Sequence, residues 1–136
     1  MVISIDAYFG TYSGHEDAGP REWAAAEAML DRVNRLLEQA EAEGVELETN
    51  PVTNSQVSGE LNGGFRPQDC PIGAAHSSHK LARAVDIYDP HGKLDAWVTD
   101  EILTRYGLYR EAPGATTGWC HLTDKPPGSG KRTFQP

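Results

Sequence analysis

PREWAAAEAMLDRVNRLLEQAEAEG, residues 20–44, carries the clearest periodicity in the chain. Trp23, Ala26, Leu30, Val33, Leu37 and Ala40 recur every three or four residues between Arg21 and Glu43, as one face of an α-helix requires. Pro20 suits a first helical position, because its missing N–H would lack a helical partner anyway. Gly44 is a natural stop. The spacing predicts one long helix with a core face that includes Trp23. The acidic run from Glu38 to Glu48 reads as its solvated face and end.

Upstream, residues 1–20 are polar and Gly-rich, with apolar Val2, Ile3, Ile5, Tyr8 and Phe9, and are expected to lie against the domain as an arm. Downstream, Val45–Thr53 and Gln56–Phe65 are strand-like, with a turn signal at Asn62-Gly63-Gly64. Residues 66–80 read as loop. Ala82–Tyr88 reads as a strand that puts Ala84 and Asp86 on one face and Val85 and Ile87 on the other. Asp89-Pro90-His91-Gly92 is a turn, with His91 at the surface. Leu94–Tyr106 is a second helix, with Trp97 on its core side, closed by Gly107. Leu108–Arg110 and Gly118–Leu122 read as strands, and residues 125–136 as a tail ordered only by packing. The sum is α+β: a single domain over residues 1–136, a largely antiparallel sheet, a long N-terminal helix and a second helix.

Composition narrows the function. The chain has 136 residues, a size that suits one domain, and is 38% hydrophobic with three Trp, five Tyr and three Phe to anchor a core. Fourteen Gly and nine Pro imply many loops. A net charge of −8 argues against nucleic acid, whose phosphates need Lys and Arg. It argues equally against unaided binding to an anionic membrane or polymer. No segment approaches the roughly 20 apolar residues that span a bilayer, and Met1–Gly10 lacks the features of a secretory signal. Synthesis in the cytoplasm and a monomer are expected. Cys70 and Cys120 make no disulfide framework. They read as free thiols in a reducing compartment, with one bridge between them as the alternative.

Three residues have the chemistry of a metal site. His79 and Asp86 lie seven apart, one at a loop end and one within the following strand, and His121 sits in the aromatic strand Gly118-Trp119-Cys120-His121. Alternation puts Trp119 and His121 on one face and Cys120 on the other, so Cys120 is not expected to share a metal with His121. Zinc takes His nitrogen and carboxylate oxygen, and a catalytic site leaves one position open. Spacing alone does not choose between this and a plainer arrangement, with Asp86 paired to Arg83, His79 in an exposed loop and His121 packed beside Trp119. Gly128-Ser129-Gly130-Lys131 is not a phosphate loop, since Lys125 and Arg132 occupy the positions that need Gly and Ser or Thr. His15 reads as a loop residue.

The local words go further. Ser77-x-His79-x-x-Ala82-x-Ala84-x-Asp86, followed by Trp119-x-His121, resembles the zinc D-alanyl-D-alanine carboxypeptidases, the M15 peptidases. The family's pattern is Ser-x-His-x-x-Gly-x-Ala-x-Asp and then Trp-x-His. Gly64-Phe65-Arg66-Pro67 is similar to its Gly-aromatic-Arg segment, and residues 127–134 resemble the tails of small phage-encoded members. The match runs over roughly residues 58–123, with its words in family order. The resemblance implies Zn2+ held by His79, Asp86 and His121, with Arg66 on a substrate carboxylate or carbonyl oxygen and Ser77 beside the site. It implies a fold related to the hedgehog signalling domain, which carries a similar zinc site.

Two departures stand out. Ala82 replaces the family's Gly, a change that ordinary φ would tolerate. Gly118 stands where many members carry an acid or a His, three residues before the last ligand, so the general base falls among Asp124, His76 and Glu111. On an unbroken strand Asp124 would face away from His121. The implied activity is metal-assisted hydrolysis of an amide in peptidoglycan peptides, as a carboxypeptidase or an endolysin-type endopeptidase acting on the cell wall after release. A wall-directed enzyme ordinarily presents a basic face, and none is visible here. The alternatives are a non-catalytic zinc-binding module and a phage structural protein on the same fold.

Overall fold

Ser4 opens the ordered chain by capping a short helix, α1 (Ile5–Phe9), through a hydrogen bond that its hydroxyl accepts from the Ala7 amide. The computed structural model describes residues 3–73 and 77–136. The N-terminal segment is more than an arm. Ile3, Tyr8 and Phe9 are among the most buried residues of the core. The Asn34 side chain clamps the Ile3 backbone by accepting from its N–H at 2.7 Å and donating to its carbonyl at 3.0 Å. Phe9 stacks on Trp23, with ring centroids 4.4 Å apart. Trp23 is half-buried and forms the edge of the core rather than its centre.

The long helix, α2, runs Pro20–Ala42. Gly19 caps its start, where the Gly19 amide donates to Glu22 Oε1 at 3.2 Å, and Gly44 follows at φ +93. Its inner face is Ala26, Met29, Leu30, Val33, Leu36, Leu37 and Ala40. Fully burying a Leu or Val is worth roughly 1.5–3 kcal/mol, so this face holds the helix in place more than intrinsic propensity does.

Residues 45–65 form no strand. They make only two isolated bridges, Asn50 to Ser55 and Val57 to Ile87. Side chains take over the backbone groups that a ladder would use. The Asn50 amide donates to Val57 and Gly59 carbonyls, and the Thr53 hydroxyl to Val57. Such local bonds compete with sheet pairing.

The sheet has the order β1-β3-β2-β4, with β1 Ala84–Tyr88, β2 Tyr109–Glu111, β3 Trp119–Thr123 and β4 Thr133–Phe134. β3 pairs antiparallel with β1 and β2, while β4 pairs parallel with β2. The sheet is therefore mixed, with its one parallel pairing made by the tail. Val85 lies opposite Leu122 and Ile87 opposite Cys120, and these four join the core. Alternation turns the intervening pair, Asp86 opposite His121, to the other face.

The second helix is two. α3 spans Lys93–Trp97 and α4 spans Asp100–Tyr106, with Val98 extended between them. Thr99 makes the break, because its Oγ1 accepts from the Ile102 amide at 3.2 Å and caps α4. The Asp89 carboxylate caps α3, accepting from the Leu94 and Asp95 amides. Among the described residues, no helix is long and apolar enough to cross a membrane.

Candidate metal centre

His79 lies in a single 3-10 turn, Ser78–Leu81, which Ser77 caps by accepting from the His79 amide at 3.3 Å. The turn ends on Ala82, whose φ is +57, not the ordinary value its side chain favours. Ala82 is fully buried and turns the chain from His79 into β1. A left-handed residue is what the family's Gly would supply without strain.

The three side chains meet. His79 Nε2 is 3.2 Å and His121 Nδ1 2.9 Å from the same Asp86 oxygen, Oδ1. Their ligand atoms all lie within 4.8 Å of one another. All three residues are buried. On its far side the His79 ring meets the Gly64 carbonyl, 2.8 Å from Nδ1. A carbonyl can only accept, so Nδ1 carries the proton and Nε2 of the neutral ring presents a lone pair to the carboxylate. Two such groups at this distance need a cation between them, either a proton or a metal ion. An imidazole that donates its other N–H to a carbonyl is the usual outer support of a metal ligand. Burial pushes the Asp86 carboxyl up, but the charge and hydrogen bonds of His79 and His121 outweigh it and hold the group well below the ordinary carboxylate range. Two His and one Asp on neighbouring rigid elements fit a three-ligand metal site that opens on a cleft.

Gly64 has no room for a side chain, since a Cβ there would sit 2.0 Å from the Tyr8 carbonyl oxygen. The close approach sets the Gly64 carbonyl against His79 and directs the chain into Arg66. The Arg66 amide donates to the His79 carbonyl at 3.2 Å, its Nε to Asn62 O at 2.8 Å, and its Nη2 to Asp86 Oδ2 at 3.3 Å. Arg66 thus supports the Asp86 carboxylate, the plainer of the two roles open to it, while lining the cleft as well.

That cleft encloses about 480 Å³ over the three ligands and also takes in Ser77, Glu111, Trp119 and Phe134. Glu111 Oε1 lies 3.9 Å from His121 Nε2. Asp124 is not among the lining residues. Its carboxylate accepts from Arg83 Nε at 2.8 Å, so Arg83 pairs with Asp124 and not with Asp86. His76 lies outside the described residues. Gly118 has φ +98, a backbone that an acidic side chain would adopt only with strain. Phe134, in the tail, meets the His121 ring edge-on at 6.2 Å between centroids. A two-residue strand has no periodicity to reveal it, so its part in the site had no signal in the sequence.

The cysteines stand apart. Both are free and buried. Cys120 faces the core beside Asp95, and burial raises its thiol pKa well above the ordinary value. Cys70 Sγ is 3.7 Å from Asn62 Oδ1. Neither joins the ligand group. His91 is exposed, 3.8 Å from Glu48. His15 lies with Asp17 and Asp69 in a second group of possible ligand atoms, but its Nδ1 already accepts from the Asp17 amide and Asp69 is exposed. Compared with family models, curated proteins and solved structures, the chain matches none.

Proposed function

We propose that the chain is a zinc peptidase of the M15 type that hydrolyses an amide bond in peptidoglycan peptides. The observation that carries the reading is the lone pair of His79 Nε2, fixed by the Gly64 carbonyl and aimed at the same carboxylate as His121 Nδ1. His79, Asp86 and His121 would hold the ion. When bound, zinc polarises a scissile carbonyl and brings the pKa of water toward ~7. The family order of the surrounding words supports the class of reaction, and the relation to the hedgehog fold belongs to the same proposal.

The chain's own residues divide the remaining work. Arg66, held by Asn62 and Asp86, presents its guanidinium at the cleft and steadies the carbonyl oxygen as charge develops. Glu111 is the one carboxylate lining the cleft outside the ligand group, among the described residues. It takes the proton from the attacking water and returns it to the leaving amine. Trp119 and Phe134 wall the site and keep bulk water from the reacting atoms.

The deciding experiment measures metal and turnover on one preparation. Protein purified without added metal should carry about one zinc per chain, as a three-ligand catalytic site implies. It should release peptide fragments from purified peptidoglycan, stop when chelated and recover on zinc addition. Zinc content unchanged in His121→Ala would overturn the ligand assignment. Stoichiometric zinc with no turnover on any wall peptide would leave a zinc-binding module in place of an enzyme.

A further inference from the structure

We infer that the substrate chain continues past the scissile bond on both sides, which makes this site an endopeptidase centre and not a carboxypeptidase pocket. The inference rests on the peptidase reading above and goes on to say which kind of amide that site cuts.

The metal-binding face does not end at one cleft. A second, of about 470 Å³, adjoins the first. Arg66, Ile72, Asp86 and Trp119 line both, so the two meet at the metal centre. One runs from the ligands toward Glu111 and Phe134, the other from Asp86 over residues 58–63. A site built to bind a chain terminus closes on one side of the reacting carbonyl. Here both sides are open and each is of ordinary ligand-pocket size.

The charges agree. A carboxypeptidase needs a cation to hold the terminal carboxylate. Among the described residues, Arg66 is the only Lys or Arg in either lining, and it stands at the junction, bonded to Asp86 at 3.3 Å. Further along the first cleft a terminal carboxylate would meet Glu111, and along the second Glu60, both of its own sign. An amide with chain on either side brings no such charge.

The surface adds an independent sign. Only three large hydrophobic side chains are exposed among the described residues, and two of them, Leu61 at 45% and Ile72 at 49%, line the second cleft. With Trp119 they offer an apolar seat for a substrate residue beyond the reacting amide. Scattered exposed apolar residues need no explanation, but two of three gathered on one cleft beside a metal centre do.

The test uses the zinc-loaded full chain and two defined substrates, with products resolved by mass. One is a cross-linked stem-peptide dimer, in which every candidate amide has chain on both sides. The other is an uncross-linked pentapeptide ending in D-Ala-D-Ala. Internal cleavage is expected to be at least ten-fold faster, in kcat/KM, than release of the terminal residue. Leu61→Asp should lower kcat/KM on the dimer several-fold, with zinc content and Tm unchanged. Release of a single C-terminal residue as the main product overturns the inference and leaves the peptidase reading standing. Equal kcat/KM for the dimer in Leu61→Asp and wild type overturns the second cleft as a subsite. No hydrolysis of either substrate by zinc-loaded protein removes the peptidase reading and this inference with it.

Discussion

Glu111 faces the cleft on the Nε2 side of His121, and two roles fit that place. As the base it moves protons, and as an outer support it orients the His121 ring. Glu111→Gln separates them. Loss of a base should lower kcat by about 10²- to 10⁴-fold, with zinc retained and the acid limb of the pH profile gone. Loss of support alone would instead weaken zinc binding by about 10- to 100-fold. The same scale holds Ala82, which sits at φ +57 and is fully buried. A left-handed Ala costs roughly 1–2 kcal/mol, while Gly there costs roughly 0.5–1 kcal/mol in added chain entropy. Ala82→Gly should therefore be neutral to stabilising, by up to about 1 kcal/mol, and a thermal melt reads it. The contrast shows what was legible in the sequence. His79, Asp86 and His121 could be named because strand alternation and local words fix where such side chains point. Nothing about an Ala announces a positive φ, since its side chain does not require one. The plainer role of Arg66 also stayed open until its guanidinium was seen on Asp86.

At the scale of elements, the break between α3 and α4 turns on one hydroxyl. Thr99→Ala removes the acceptor for the Ile102 amide and should cost about 1 kcal/mol. Urea unfolding should show the lower midpoint, with zinc content unchanged because no ligand lies on either helix. The break was hidden because Thr99 sits where an uninterrupted helix would also place a polar residue. α2 was plain for the opposite reason, since its apolar period holds over many turns with Pro at one end and Gly at the other. Residues 45–65 misled because their apolar alternation matches a strand, while Asn50 and Thr53 divert the hydrogen bonds. The mixed character of the sheet comes from β4 alone, two residues whose pairing with β2 is a long-range event.

Across the whole molecule, the centre joins parts of the chain that are far apart in sequence. Its ligands come from a turn, from β1 and from β3, and Gly64 and Arg66 support them from a fourth segment. Metal bound only to the folded state should stabilise it by about 4 kcal/mol at a thousand times its Kd. Removing zinc with a chelator should therefore lower Tm clearly, and the fall should scale with free zinc. The metal-free protein should also be acid-sensitive. Asp86 is held below the ordinary carboxylate range, so its contribution is fully present above about pH 4 and fades as pH falls toward its folded value. The stability gap between metal-free wild type and Asp86→Asn, read from urea midpoints, should narrow from pH 6 to pH 3. Pro136 belongs to the wall of the metal cleft, two residues beyond β4. Any polypeptide fused after it starts at the mouth through which substrate must pass. An affinity tag on that side should slow turnover and recover on proteolytic removal, while the same tag before Met1 leaves the rate alone. The choice of expression vector is therefore already a choice about whether the enzyme will look active.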